Sequence, residues 1–226
     1  MTTFVLIHGA GDDGWYWHLV EAELRKRGHD VVAPDLPSDD DSAGLKEYAD
    51  TVVEAIGDRK DLVVVGQSFG AFTAPLVADR LPVDMLVLLA GMVPAPGECP
   101  GDWWENTGHG QAVQEQSERD GGKTGSEDPL VSFFHDVPHA LAEEAMRRER
   151  SQSQTPMGIP WPLEAWPDLP TEFLVCSDDR FFPPEVLRRV AKERLGITPD
   201  EIDSGHCVAL SRPIGLADVL EGYAAR

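Results

Sequence analysis

The chain contains 226 residues, with 19 basic and 40 acidic side chains and a formal net charge of −21. This length suits a single domain with a sizeable buried core. With 42% hydrophobic and 26% charged residues, the composition excludes a disordered chain and a membrane protein. The negative charge disfavours binding to nucleic acid or to anionic membranes, so we expect neither as a partner.

The cysteine content and the first residues indicate a cytoplasmic setting. Three cysteines, at positions 99, 176 and 207, cannot form a disulfide framework. Residues 1–7 lack the basic segment and the cleavage site of a signal peptide. We therefore expect a reducing compartment, and we interpret Cys207 as a small packing residue.

Short apolar runs without period-2 alternation predict strands that are buried on both faces, as in a parallel sheet. These runs lie at 4–7, 62–65, 85–89 and 173–176, with a weaker one at 31–33. Apolar residues at helical spacing lie between them and predict helices. The predicted helices cover about 16–24, 45–56, 71–80, 185–195 and 213–223. The alternation implies an α/β fold, with a mostly parallel sheet flanked by helices and joined by right-handed crossovers.

Residues 94–170 interrupt this alternation of strands and helices, because they contain no convincing strand. Residues 105–128 are rich in Gly, Gln, Glu and Ser, 139–150 resemble a short helix, and 156–170 contain five prolines. We expect one domain over 1–226, in which 94–170 form a partly mobile insertion above the sheet.

The pentapeptide Gly-Gln-Ser-Phe-Gly at 66–70 follows a predicted strand and precedes a predicted helix. Glycines on both sides of Ser68 allow a tight bend that exposes the hydroxyl at the edge of the sheet. Pro75 should kink or shorten the helix that follows. The sequence therefore predicts Ser68 as a nucleophile.

A serine nucleophile needs a base, and the base needs a group that orients it. His206 lies in a loop before the last predicted helix. Asp178 and Asp179 directly follow the strand at 173–176, where a parallel sheet presents its active-site loops. On placement alone, either aspartate could serve as the acid.

The segment His-Gly-Ala-Gly at 8–11 follows the first predicted strand. Its glycines allow backbone amides to approach a ligand, so the loop can supply one donor of an oxyanion hole, with the amide of Phe69 as the other. Metal binding is not expected. The aspartates at 39–41 are interpreted as a solvated loop, and Pro138 argues against a helix that would align His135 with His139. We expect no cofactor.

In this order, the motifs resemble those of the α/β-hydrolase superfamily, and most closely its small-esterase branch, which includes plant methyl esterases and hydroxynitrile lyases. The matching segments are FVLIHGAGDDGWYW (4–17), GQSFGA (66–71), CSDDRFFP (176–183) and GHCVALSRP (205–213). The resemblance implies that Asp179, four residues before a proline, is the acid of a Ser68–Asp179–His206 triad. It also implies Ala10 and Phe69 as oxyanion donors, 94–170 as a lid, and a reduced sheet of about six strands.

The resemblance implies a serine hydrolase that cleaves a small to medium carboxylic ester, a thioester or an amide through an acyl-enzyme. Two alternatives remain: a C–C bond hydrolase or lyase with the same triad, and a small-molecule receptor on this fold. The absence of a lysine at Cys207 or Val208, and of a threonine near Ala10, counts against cyanohydrin chemistry.

We expect a neutral, apolar ester as the substrate. Aromatic side chains often line such pockets, and an equally good interpretation is that they anchor the lid. The candidate substrate-binding residues are Trp15, Trp103, Trp104, Trp161 and Trp166.

Overall fold

The structure, a computed structural model, describes residues 1–226 and contains one six-stranded sheet. The strands are β1 (Thr3–Ile7), β2 (Asp30–Val32), β3 (Leu62–Gln67), β4 (Val83–Leu89), β5 (Thr171–Cys176) and β6 (Asp200–Ile202). Their order is β2-β1-β3-β4-β5-β6, and each neighbouring pair is parallel. The predicted α/β fold with about six strands is confirmed.

The strands form where the apolar runs predicted them, because these residues bury both faces of the sheet. All five residues of β1 and all six of β3 are buried. The additional strand β6 is short and its residues are not buried, so no apolar run marks it in the sequence.

Ten α-helices surround the sheet or cross above it. They are α1 (His18–Lys26), α2 (Leu45–Ile56), α3 (Gly70–Ala78), α4 (Trp103–Asn106), α5 (His109–Asp120), α6 (Pro129–Ser132), α7 (His139–Arg148), α8 (Pro184–Val190), α9 (Val208–Ser211) and α10 (Pro213–Ala224). Among them, α1 packs against α10 and α2 against α3. None of the helices is both long enough and apolar enough to cross a membrane.

Two predicted helices differ in detail from those in the structure. Pro75 lies inside α3, which nevertheless continues to Ala78. The helix predicted over 185–195 consists of α8 followed by one π-helical segment, Ala191–Leu195, and it ends at Gly196 with φ of 70°.

The segment between β4 and β5 contains α4, α5, α6 and α7 and no strand. Its first part is tied to the rest of the molecule by Glu98, whose carboxylate accepts hydrogen bonds from Arg194 Nη2 and Asn106 Nδ2 at 2.8 Å each. Burial opposes ionisation of Glu98, but the hydrogen bonds from Arg194 and Asn106 outweigh it and hold the pKa below its ordinary value. This paired charge fixes the start of the segment against the residues that follow α8.

Candidate active site

Ser68 lies at the sharp turn between β3 and α3, with a φ of +51°. Few residues with a Cβ adopt this left-handed conformation, so neighbouring groups must hold it. The amide of Ser68 donates to Leu89 O at 3.0 Å, and its carbonyl accepts from Met92 N at 3.0 Å and Ala71 N at 3.2 Å. The end of β4 therefore holds the strained serine on one side and α3 holds it on the other.

Gly70 allows α3 to start directly beside the end of β1. A Cβ at this position would lie 2.7 Å from His8 O and 2.8 Å from Ile7 O, both backbone atoms that cannot move aside. Only glycine fits such an approach. The close packing brings Ser68 and Phe69 next to the loop that follows β1.

His206 and Asp179 form a buried pair beside this turn. Nδ1 of His206 lies 2.7 Å from Oδ2 of Asp179, and the other carboxylate oxygen accepts from Phe181 N at 2.8 Å and Phe182 N at 2.9 Å. The carboxylate is thus fixed from both sides. It accepts the Nδ1 proton and leaves Nε2 of the neutral imidazole as an acceptor.

Asp178 does not take part in this pair. Its side chain is exposed and lies 3.8 Å from the ring of His135, on the outside of the loop. Of the two aspartates that sequence placement left open, the structure therefore brings Asp179 to His206.

Gln67 occupies the position next to the free nitrogen of His206, and sequence reasoning missed it. Its Nε2 lies 3.2 Å from Nε2 of His206, so this hydrogen bond comes from Gln67 and not from Ser68. The Oε1 atom of Gln67 is buried without a partner. A long polar residue at the end of a buried strand, directly before the predicted nucleophile, is the signal that could have revealed it.

The loop after β1 presents an unpaired amide to the site. Neither Ala10 N nor Phe69 N donates a hydrogen bond within the protein. Two amides that are free to donate beside a serine fit a developing oxyanion.

His8 holds this loop in shape. Its Nδ1 donates to Gly9 O at 2.8 Å, and its Nε2 accepts from Leu36 N at 3.0 Å. These two roles require the neutral imidazole. Burial lowers the pKa of His8 and keeps the ring neutral.

Ser68, His206, Gln67, Ala10 and Phe69 all lie on the wall of one cavity of about 590 Å³. Apolar and aromatic side chains form much of the remaining wall. These include Met92, Trp104, Phe133, Phe134, Met146, Met157 and Phe181. A cavity of this size and composition is typical of a small-molecule site.

Of the five candidate tryptophans, Trp104 lies on the cavity wall. Trp103 and Trp161 are buried in the core, where their Nε1 atoms donate to Val93 O and Phe72 O. Trp15 stacks on His18, with ring centroids 4.4 Å apart, and Trp166 donates to Thr171 Oγ1 at 3.1 Å. The position of a tryptophan in the sequence does not distinguish these environments.

Asp12 is a further cavity residue that the sequence did not single out. Burial raises the pKa of its carboxyl to about 7, although the charge of nearby His206 acts in the opposite direction. No group of three or more His, Cys, Asp or Glu side chains is arranged to hold a metal ion.

The comparisons with known proteins agree with this architecture. The model of the alpha/beta hydrolase family matches residues 4–219. The rice protein named Probable esterase PIR7A (Oryza sativa subsp. indica) is 37% identical over 112 residues, which cover 43% of this chain and 42% of that protein. The chain thus matches less than half the length of this relative.

Longer matches are more distant. A pyrethroid hydrolase of Sphingobium wenxiniae is 26% identical over 99% of this chain and 88% of its own. The crystal structure of an extracellular alpha/beta-hydrolase from a Paenibacillus species superposes with a TM-score of 0.80, at 21% identity and over 99% of both chains. Since the family model extends from β1 into α10, the chain belongs to the alpha/beta hydrolase family.

Proposed function

We propose that this protein is a serine hydrolase that cleaves a carboxylic ester through an acyl-enzyme on Ser68. The observation that carries the proposal is the buried Asp179–His206 pair, whose imidazole lines the same cavity as the strained Ser68 and two unpaired amides. Each of these groups has one task in acyl transfer.

In the proposed reaction, Ser68 Oγ attacks the ester carbonyl carbon and its proton passes to Nε2 of His206. Asp179 holds the ring and stabilises the imidazolium. The amides of Ala10 and Phe69 donate to the oxyanion of the tetrahedral intermediate. Collapse breaks the ester bond, and the alcohol leaves with the proton from His206. Water then loses a proton to the same nitrogen and attacks the acyl carbon. When the bond to Ser68 Oγ breaks, His206 returns this proton to Oγ and the carboxylic acid is released.

Relatives named as esterases support ester cleavage over the two alternatives, a C–C bond hydrolase or lyase and a receptor. No feature of the site favours either alternative. The reaction needs no cofactor, because the chain itself supplies the nucleophile, the base and the oxyanion donors.

We further propose that the chain is one domain in which 94–170 form the lid of the pocket. Trp104, Phe133 and Met146 all belong to this segment and line the cavity above Ser68. A cytoplasmic location is also part of the proposal, because Cys99, Cys176 and Cys207 are all free thiols.

The test combines covalent labelling with turnover. A fluorophosphonate should label the wild-type protein on Ser68, and p-nitrophenyl esters of increasing acyl length should be hydrolysed. The Ser68→Ala variant should lose labelling and at least about 10³-fold in kcat. A Ser68→Ala variant that retained full turnover would contradict the proposal. Labelling of the wild type without turnover of any ester would favour the receptor alternative.

A further inference from the structure

Two carboxylates, those of Asp12 and Glu149, lie near each other on the cavity wall. Neither lysine nor arginine is among the lining residues. Glu149 lies at the exposed side of the cavity, where its Cγ approaches Gly11. An anionic substrate would therefore be repelled by both carboxylates and would find no side-chain cation on this wall.

No hydrogen bond within the protein explains why an aspartate stands at position 12. Its carboxylate takes part in no hydrogen bond, and its charged neighbours are His206, Asp13 and Glu149. The two nearby aspartates differ in this respect: Asp13 accepts from Trp15 N at 2.9 Å and Asp35 accepts from Gly14 N at 2.7 Å. Asp12 is partly exposed and lines the cavity, so its carboxylate, which has no partner within the protein, is free to pair with a cation that arrives with the substrate.

Gln67 provides an independent observation at the same wall. Its side chain is 2% exposed, and its Oε1 atom is a buried acceptor without a donor. This atom lies beside the oxyanion loop, 2.5 Å from the place where a Cβ on Gly9 would stand. The region around Ser68 thus contains a second unpaired acceptor and no side-chain cation.

The remaining wall supplies faces that attract cations. Trp104, Phe133, Phe134 and Phe181 surround the cavity, and aromatic faces bind ammonium groups through their quadrupole. Carboxylates combined with aromatic rings favour a cation over a neutral apolar group of the same shape.

We propose that the preferred substrate is an ester with a positively charged amine, and that Asp12 is the residue that selects for it. This inference rests on the proposed ester hydrolysis and names the substrate class of the same site. It replaces the neutral, apolar substrate that sequence reasoning expected.

The experiment compares two esters of one shape: one carries a trimethylammonium group, and the other carries the neutral tert-butyl group in its place. The ratio of their kcat/KM values isolates the charge, because both esters have the same shape and react with the same catalytic groups. At about pH 8 and about 0.15 M salt, we expect the charged ester to be preferred roughly tenfold. The preference should decrease as the pH is lowered through 7, because Asp12 then becomes neutral.

Two variants test the assignment. Asp12→Asn should bring the ratio of the two kcat/KM values close to one. Asp13→Asn removes the same charge from the next residue, which does not line the cavity, and should leave the ratio at its wild-type value. This control separates a contact in the pocket from the long-range attraction of an acidic protein.

The possible failures are distinguishable. A wild-type ratio near one, or equal ratios in the two variants, with the neutral ester still hydrolysed, would overturn the role of Asp12 alone. Absence of turnover of both esters together with absence of fluorophosphonate labelling of Ser68 would overturn the proposed function and this inference with it.

Discussion

The imidazole of His206 is held on all sides by groups from distant parts of the chain. Asp179 fixes Nδ1 and Gln67 contacts Nε2. The rings of Phe133, Phe181 and Phe182 lie edge-on to it, with centroids 5.6, 5.1 and 5.2 Å away. Aromatic surroundings exclude water and strengthen the charge interaction with Asp179, so a base in this position is oriented before the substrate binds.

Gln67 is suited to this site because an amide accommodates both states of the ring. Its nitrogen donates to the neutral imidazole, and after rotation its oxygen can accept from the protonated one. Gln67→Glu replaces the amide with a carboxylate, which favours the protonated ring. We expect the acid limb of the kcat/KM profile to move to higher pH by about one to two units.

The matched control for this variant is Gln67→Met, which keeps the approximate length of the side chain without its polar atoms. Its acid limb should move less than that of Gln67→Glu. Coincident pH profiles for both variants and the wild type would show that the contact at 3.2 Å has no influence on the base.

At the residue scale, sequence reasoning works where chemistry is tied to a local motif. The glycines around Ser68 and the proline four residues after Asp179 are such motifs. Gln67 lies inside the first motif and Asp12 directly follows the segment 8–11, but neither stands out in the sequence, because only the folded structure shows which partners they lack.

At the scale of elements, the segment between β4 and β5 holds the loop that carries Asp179. Two side chains of α5 and one residue after α6 donate to backbone carbonyls of this loop: His109 Nε2 to Phe181 O at 2.9 Å, Gln116 Nε2 to Asp179 O at 3.3 Å, and His135 Nε2 to Asp178 O at 3.0 Å. The segment between β4 and β5 therefore stabilises the loop of Asp179 and also lines the cavity.

The loop before His206 is attached to the same segment in a similar way by Asp136. Its Oδ2 atom accepts from Gly205 N at 2.9 Å and from Ser204 Oγ at 3.0 Å. Asp136→Ala leaves the amide of Gly205 without this acceptor. We expect kcat to fall about tenfold or more, with KM nearly unchanged, because a small misplacement of the base affects chemistry more than binding.

Asp136→Asn should restore most of this loss, since an amide oxygen in the place of Oδ2 can accept from both Gly205 N and Ser204 Oγ. His139→Ala, an exposed position at the start of α7, serves as the control and should behave like the wild type. If Asp136→Ala changed only the melting temperature and not kcat, Asp136 would have a purely structural role.

The elements differ in how far the sequence predicts them. The strands β1, β3, β4 and β5 are evident from their apolar runs, because both of their faces are buried. The helix α5 was not predicted, because none of its residues is buried and its polar sequence carries no helical period. Its links to the loop of Asp179 join residues far apart in the chain, and no local pattern records such contacts.

At the scale of the whole molecule, the repulsion among the excess acidic side chains exceeds the attraction that the ion pairs provide. The 40 acidic side chains exceed the 19 basic ones by 21, so many carboxylates have no basic partner. The pairs that do form are mostly exposed, as for Lys46 with Asp50 and Arg226 with Glu172, and each exposed pair contributes at most about 1 kcal/mol. Repulsion from the net charge destabilises the compact state.

This imbalance predicts how salt affects stability. Screening weakens both the repulsion and the pairs, but the repulsion involves every excess charge, whereas each pair contributes little. Raising sodium chloride from about 0.01 to about 0.15 M at neutral pH should increase the melting temperature by several degrees. The same titration near pH 5, close to the isoelectric point of about 4.5, is the control. There the net charge is small, the pairs dominate, and salt should leave the melting temperature unchanged or lower it slightly. A decrease at neutral pH would mean that the surface pairs outweigh the repulsion.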